Sequence, residues 1–450
     1  MYSKSKSLVF IMLLFLLTAC NNTDINNSKE TTTDSISDSN ITIPSSEPES
    51  SDSKIEINYF SHGIEDGTRS AIISSFEVLH PDIKINLIEL PSNTDEKLEI
   101  LINALKQKNT RVDVFDADVT WPAVLVNQNL VWPIDQFITK EERNTFLKPA
   151  IDAAMVDDVI YGLPYRVDAG MLYYRKDLLT KYGYEPPKTW NELISISKHI
   201  TSEEKDLYGY AGSWKSFEGL TCNFLEFIWN HDSDIINPNN EFILNSDKNA
   251  EAFQLMIDLR NRYQITPKNI LNFSSGDARA LFTAGHLLFL RDWSSGWNIS
   301  QNAINSSIVG KVDISALPTI DSSEHSHSTL GGWQLMIAAN SEHKEEALLF
   351  AKYRAGEYAQ SLSAKNLSHL PSLKHLYDSS DTWNNLPALD KTKNILEQSK
   401  SRPHLSYYHK FSDTIQESVH DVFLSGTSSK DALDNMQTII LELEKNNYDE

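Results

Sequence analysis

The chain has 450 residues, with 62 acidic against 40 basic side chains and a formal net charge of -22. Such an acidic balance excludes nucleic acid as a natural partner and disfavours anionic substrates as well. With only two cysteines, a disulfide framework is excluded too.

Lys4 and Lys6 precede an unbroken apolar run from Leu8 to Leu17, which is followed by Thr18, Ala19 and Cys20. The run is about half as long as the roughly twenty residues a spanning helix needs. Residues 1–19 therefore read as a cleaved secretory leader. Leu17-Thr18-Ala19-Cys20 resembles a bacterial lipobox, which implies diacylglycerol on the Cys20 sulfur and Cys20 as the mature N-terminus. Loss of the two leader lysines takes the mature charge to about -24. Cys222 is then left without an intrachain partner, and its neighbours Leu220, Phe224, Phe227 and Ile228 mark it as a small buried hydrophobe. Residues 20–53 are almost wholly Ser, Thr, Asn, Asp, Glu and Pro, with no aromatic residue. They cannot bury enough apolar surface to offset their ordering entropy, so a disordered tether is expected.

Beyond the tether, Ile55, Ile57 and Tyr59 alternate with polar residues as in a strand. Ile72, Phe76 and Leu79 recur at helical spacing, Ile83, Ile85 and Leu87 return to period two, and a second helix is expected over 95–107. Val112 to Asp116 reads as another strand, so this part should be a run of parallel β-α-β units. Ligands in such sheets sit beyond the carboxyl ends of the strands, which points to the loops after Phe60 and Phe115. Thr189 with Glu192 forms a capping box. Asp247 to Tyr263 places Ala252, Met256, Leu259 and Tyr263 on one helical face. His286 to Leu290 and Gln334 to Ala338 read as strands, and Glu342 to Arg354 as a helix. Roughly 400 residues of alternating strand and helix favour two α/β lobes.

No phosphate loop, HExxH, CxxC or GxSxG motif occurs. His325 and His327 lie in a Ser-rich loop and are read as solvated. Asp113, Asp116 and Asp118 lack the glycine and distal glutamate of a calcium loop, and Trp121-Pro122 follows them. No metal, cofactor or catalytic residue is expected, and the chain is read as a non-enzyme. A pair of carboxylates for glycoside hydrolysis is defined by spatial separation, so sequence spacing leaves a surface glycoside hydrolase as the rival reading.

Four ordered stretches carry a resemblance: Asp113 to Pro122, Gly162-Leu163-Pro164-Tyr165-Arg166-Val167-Asp168-Ala169-Gly170 running into Leu172 to Leu178, Pro187-Lys188-Thr189-Trp190, and Gly331-Gly332-Trp333. Together they resemble family 1 extracellular solute-binding proteins of ABC sugar importers, most closely the trehalose/maltose type, over nearly the whole mature chain. The resemblance implies a two-lobed α/β fold of the type II periplasmic-binding-protein kind with a multi-crossing hinge. Lobe one is placed at 54–165 and 310–365, lobe two at 166–309 and 366–450. It further implies a lipid-anchored, extracytoplasmic monomer that hands a small carbohydrate to a permease in the cytoplasmic membrane. The sugar is expected to be a disaccharide such as trehalose or maltose, with another oligosaccharide or a polyol as the alternative solute.

A pyranose offers hydroxyls that donate and accept and an apolar C–H face, so its site needs polar rim groups and aromatic planes. Carried over by position, the resemblance assigns sugar contact to Glu65, Lys97, Asp118, Arg166, Asp168 and Arg402. Arg166 stands where the family often has an aromatic residue, and Lys97 where arginine is common, so a bidentate bond is lost there. Trp293 and Trp333 are the expected stacking platforms, with Gly331 and Gly332 letting a ligand approach the backbone.

Overall fold

The computed structural model describes residues 54–62, 67–107, 111–322, 325–378 and 389–449. The lipobox cysteine, the tether and Glu65 lie outside them. The first elements follow the expected order: β1 (Ile55–His62), the helix Thr68–Leu79, β2 (Ile83–Leu90), the helix Thr94–Lys106 and β3 (Val114–Asp118). β1 pairs in parallel with β2 along its whole length, from Ile55 opposite Ile83 to His62 opposite Leu90, and with β3 through Tyr59 and Phe60. The third strand starts two residues later than its apolar pattern suggested and carries Asp118 at its end.

A short hairpin follows, β4 (Met155–Val156) and β5 (Val159–Ile160). Asp157 and Asp158 both take positive φ at its turn, the conformation that suits the twist of a two-residue hairpin loop. β6 (Gly162–Ala169) and β7 (Met171–Arg175) are separated by Gly170 alone, and β8 (Tyr208–Ala211), β9 (Leu287–Asp292), β10 (Val312–Ser315) and β11 (Leu330–Ile337) complete the strands. Two principal sheets result, ordered β2-β1-β3-β11-β6 and β10-β7-β9-β8. β11 runs antiparallel between β3 and β6, so a strand from the last third of the chain completes the sheet begun at Ile55.

That topology makes the chain pass between the lobes three times. At the first passage a Cβ on Gly170 would collide with the buried pair formed by Arg291 and Glu226, so the crossing is packed tightly against the second lobe. The second passage falls between Ser315 and Leu330. It is later than the boundary expected at 310, because β10 is antiparallel to β7 and belongs to the second sheet. The third is also later than 366. Leu373 and Leu376 still fill the first core, while Leu370 and Tyr377 on either side of them already pack in the second together with Ile395 and Leu396.

Each lobe buries its own apolar cluster. The first is built on Tyr59, Phe76, Leu101, Phe115, Leu335 and Phe350; the second on Trp190, Phe224, Phe227, Phe253, Phe282 and Phe411. Trp190, placed at the helix start by the observed Thr189–Glu192 capping box, stacks on Phe227 with centroids 4.6 Å apart. Cys222 is free and fully enclosed in the second core. The helices Tyr408–Ser425 and Ser429–Asp449 close that lobe, with Phe411, Ile415, Leu433 and Met436 facing inward. Among the described residues no helix is long and apolar enough to cross a membrane.

Candidate functional site

Between the lobes lies a cavity of about 480 Å³, within the range usual for small-ligand sites. One wall comes from the first lobe. Asn93 caps the helix Thr94–Lys106 by accepting from the Asp95 and Glu96 amides, which brings Lys97 on the first turn to the cavity. β6 contributes Arg166 and Asp168, and β11 contributes Gly331, Gly332 and Trp333. The β6–β11 register slips between Trp333 and Gln334, so that Trp333 opposes Arg166 while Gln334 opposes Pro164. Such a bulge re-aims side chains locally, and here the opposed pair Trp333 and Arg166 faces the cavity, while Gln334 turns away to the Ala153 carbonyl. Gly332 takes φ +149°, and a Cβ there would meet the Arg166 carbonyl at 2.8 Å. Gly332→Ala is expected to lower unfolding stability by about 1–3 kcal/mol in urea denaturation.

The second lobe supplies Trp293, Lys215, Phe217, Arg279 and the helix start at Ser274. Trp293 follows β9 and is held by a chain of contacts. The Arg291 guanidinium lies 4.1 Å from its ring centroid, and Glu226 fixes that guanidinium with bonds of 2.5 and 2.7 Å. A Cβ on Gly331 would come within 2.8 Å of the same ring, so the glycine lets the indole close over β11. Asp168 accepts from the Ala169 and Ser294 amides at 3.0 and 2.9 Å, tying the two lobes together. Burial raises its pKa against the opposing pull of Arg166.

Trp333 is placed on the wall, yet its face is already covered: Lys97 Nζ sits 4.1 Å from its centroid and Arg166 Cζ 5.8 Å. Trp121 meets it edge-on at 5.7 Å. Trp293 is therefore the more open indole, and Trp333 is a floor beneath two cations. Asp118 and Arg402, expected to touch ligand, are not on the cavity wall. Arg402 is buried with Nη2 3.1 Å from Asp118 and Nη1 2.5 Å from Glu218. Two carboxylates withdrawn from water require a cation between them, and that requirement directs the arginine inward. The wall also uses the turn after β2, which the reading of loops after Phe60 and Phe115 did not include.

Lys215, Phe217 and Arg279 escaped the sequence reading. Ser274 with Asp277 is an observed capping box whose S-x-x-D pattern was readable as a helix start. Nothing in the sequence marks Lys215 or Phe217. Arg279 is clamped by Asp292 through bonds of 2.5 and 2.8 Å.

A cavity enclosed between two α/β lobes that are joined by three chain crossings, with an indole and hydrogen-bonding side chains on its walls, defines a two-lobed ligand-binding protein. Comparison narrows the class. Residues 62–360 match the bacterial extracellular solute-binding protein family, and the chain belongs to that family. It is 30% identical over 362 residues to a "Probable ABC transporter-binding protein" of Deinococcus radiodurans, covering 78% of this chain and 85% of the relative. The galactooligosaccharide-binding protein of Bacillus subtilis is 25% identical over 70% of this chain and 71% of its own length. Maltose-bound MalE3 of T. maritima superposes with a TM-score of 0.82 at 29% identity, over 86% of this chain and all of that one.

Proposed function

We propose that the cavity captures a sugar, of the size of a disaccharide such as maltose or trehalose, and that the protein delivers it to an ABC permease in the cytoplasmic membrane. In this reading Cys20 carries the lipid and residues 20–53 are the tether, so the lobes stay near the permease as a monomer and perform no covalent chemistry. The observation that carries it is the Trp293 indole beside the Asp168 carboxylate in one interlobe cavity: an apolar plane for a pyranose face next to an acceptor for its hydroxyls. The maltose bound to MalE3 and the galactooligosaccharide specificity named for the Bacillus subtilis relative support the same class of ligand. Glycoside hydrolysis is the weaker reading, since it needs two carboxylates flanking the bond and Asp168 is the one carboxylate among the described wall residues.

Micromolar capture corresponds to about -8 kcal/mol, which closure achieves only if both lobes contact the ligand. A thermal-shift screen of mono-, di- and trisaccharides should show a rise in melting temperature with at least one sugar. Trp293→Ala should weaken that sugar's binding by about 30-fold, the loss of roughly 2 kcal/mol typical of a buried aromatic anchor. A flat screen across the panel would remove the sugar assignment, and unchanged affinity in the variant would remove Trp293 from the contact surface.

A further inference from the structure

The charge of this cavity is opposite to that of the chain. The protein as a whole has a net charge of -22, yet the described side chains on the wall include four cations, Lys97, Arg166, Lys215 and Arg279, and one carboxylate, Asp168. Asp292 neutralises Arg279 by a bidentate bond. The other three have no carboxylate bound to them among the described residues, and two of them are unfinished as hydrogen-bonding groups. Lys97 is 1% exposed and its ammonium makes no hydrogen bond to a described residue, resting only on the Trp333 face. Arg166 bonds His369 through Nη1 at 2.6 Å while its Nε is buried without a partner.

Burying an ammonium without an acceptor is costly, and the protein shows that cost. Desolvation lowers the Lys97 pKa to about 8, with Asp116 and Asp118 opposing the drop and Arg166 adding to it. Lys97 and Arg166 thus repel each other across a single indole, and an anion placed between them relieves both the repulsion and the missing bonds. Asp168 does not fill that role, because its Oδ1 already serves the Ala169 and Ser294 amides. The hydroxyls of Ser92, Thr94, Ser275 and Ser295 can donate or accept, but the charged groups of the wall are mostly donors, so the charged part of its complement is an acceptor. A neutral sugar, whose hydroxyls must also donate, matches it less well than a sugar with a carboxylate. A planar carboxylate further suits the fork of the Arg166 guanidinium.

Resting on the sugar reading above, we infer that the ligand is an acidic saccharide, a uronate-bearing disaccharide whose carboxylate sits between Lys97 and Arg166 above Trp333. The negative bias of the composition thus concerns the outer surface, while the cavity selects an anion.

The test uses the intact mature chain and matched pairs that differ by one oxidation at C6: maltose and maltobiouronic acid, and cellobiose and cellobiouronic acid. In titration calorimetry the acid member of at least one pair should bind about 10- to 100-fold tighter than its neutral partner, the range of a charge-assisted bond over a neutral one. Arg166→Gln and, separately, Lys97→Met should each cut that acid-to-neutral ratio by about 10-fold. A neutral disaccharide that binds while its acid binds equally or more weakly overturns the inference and leaves the sugar reading standing. Silence from both members of all pairs sinks the two together.

Discussion

Arg402→Met is expected to lower the free energy of unfolding by about 3–5 kcal/mol, the usual consequence of removing one partner from a buried ionic cluster. Arg402 is 4% exposed and stands between carboxylates from different lobes: Asp118 at the end of β3, and Glu218 at the start of the helix Glu218–Trp229. Glu218 also accepts from the Tyr408 and Ser412 hydroxyls, both at 2.6 Å, and Asp118 from the Thr120 amide and hydroxyl. These bonds satisfy lone pairs but supply no positive charge. Without the guanidinium, two anions remain in a medium that solvates them poorly. Arg402→Lys should recover only part of the loss, because one ammonium lacks the fork that spans both carboxylates. Asp118→Asn in the Arg402→Met background should restore stability relative to the single variant, since it removes one stranded charge. Urea unfolding of the four proteins measures each value, and a loss below about 1 kcal/mol for Arg402→Met would show that the cluster is solvated.

That arginine also shows where sequence reasoning reached its limit. The resemblance assigned it to sugar contact, whereas its guanidinium pairs with Asp118 and Glu218; a residue type does not reveal whether its charge faces a cavity or another side chain. The same holds for Asp118. Local patterns carried the fold further: period two in Ile55–Tyr59, the Thr189–Glu192 cap and the helical face of Ala252, Met256 and Leu259 all reappear in the structure. β11 was legible only from Gln334 onward, because Gly331 and Gly332 lack the side chains by which strands are recognised, although they are paired to β6. A multi-crossing hinge was implied by the resemblance alone, and the positions of the crossings could not be read, since β10 pairs with β7 across a long stretch of sequence. On the cavity wall, Asp168 and Trp333 belong to the stretches that carry the family resemblance. Lys215 and Arg279 reach it through the tertiary fold alone, which is why the charge of the cavity could not be read from the sum of the chain.

A second large effect is expected from pH, centred on Asp95. Its carboxylate belongs to the first lobe but accepts from the Glu218 amide at 3.1 Å and the Gln416 side chain at 3.2 Å, both in the second. Desolvation, then the charges of Glu218 and Asp413, raise its pKa from 3.8 to about 7, against the bonds from Gln416 and the Glu218 amide. The folded protein therefore holds a proton that the unfolded chain releases near pH 4. Asp95 stabilises the fold fully below that pH, and the contribution is lost as pH rises through about 7. The separation of the two values corresponds to roughly 4 kcal/mol at most. In urea unfolding between pH 4 and 8, Asp95→Asn should lose less stability than the wild type over this interval, because the amide keeps the neutral form at every pH. In the proposed binding cycle, opening of the lobes would part Asp95 from Glu218 and Gln416 and return it to water, so closure around a ligand would carry proton uptake with it. Ligand affinity should consequently fall from pH 6 to pH 8 more steeply in the wild type than in Asp95→Asn, where only the loss of charge on Lys97, whose pKa burial lowers to about 8, remains. Calorimetry in buffers of different ionisation heat would register the proton directly, and identical pH profiles for the two proteins would show that Asp95 titrates as an ordinary solvated carboxylate.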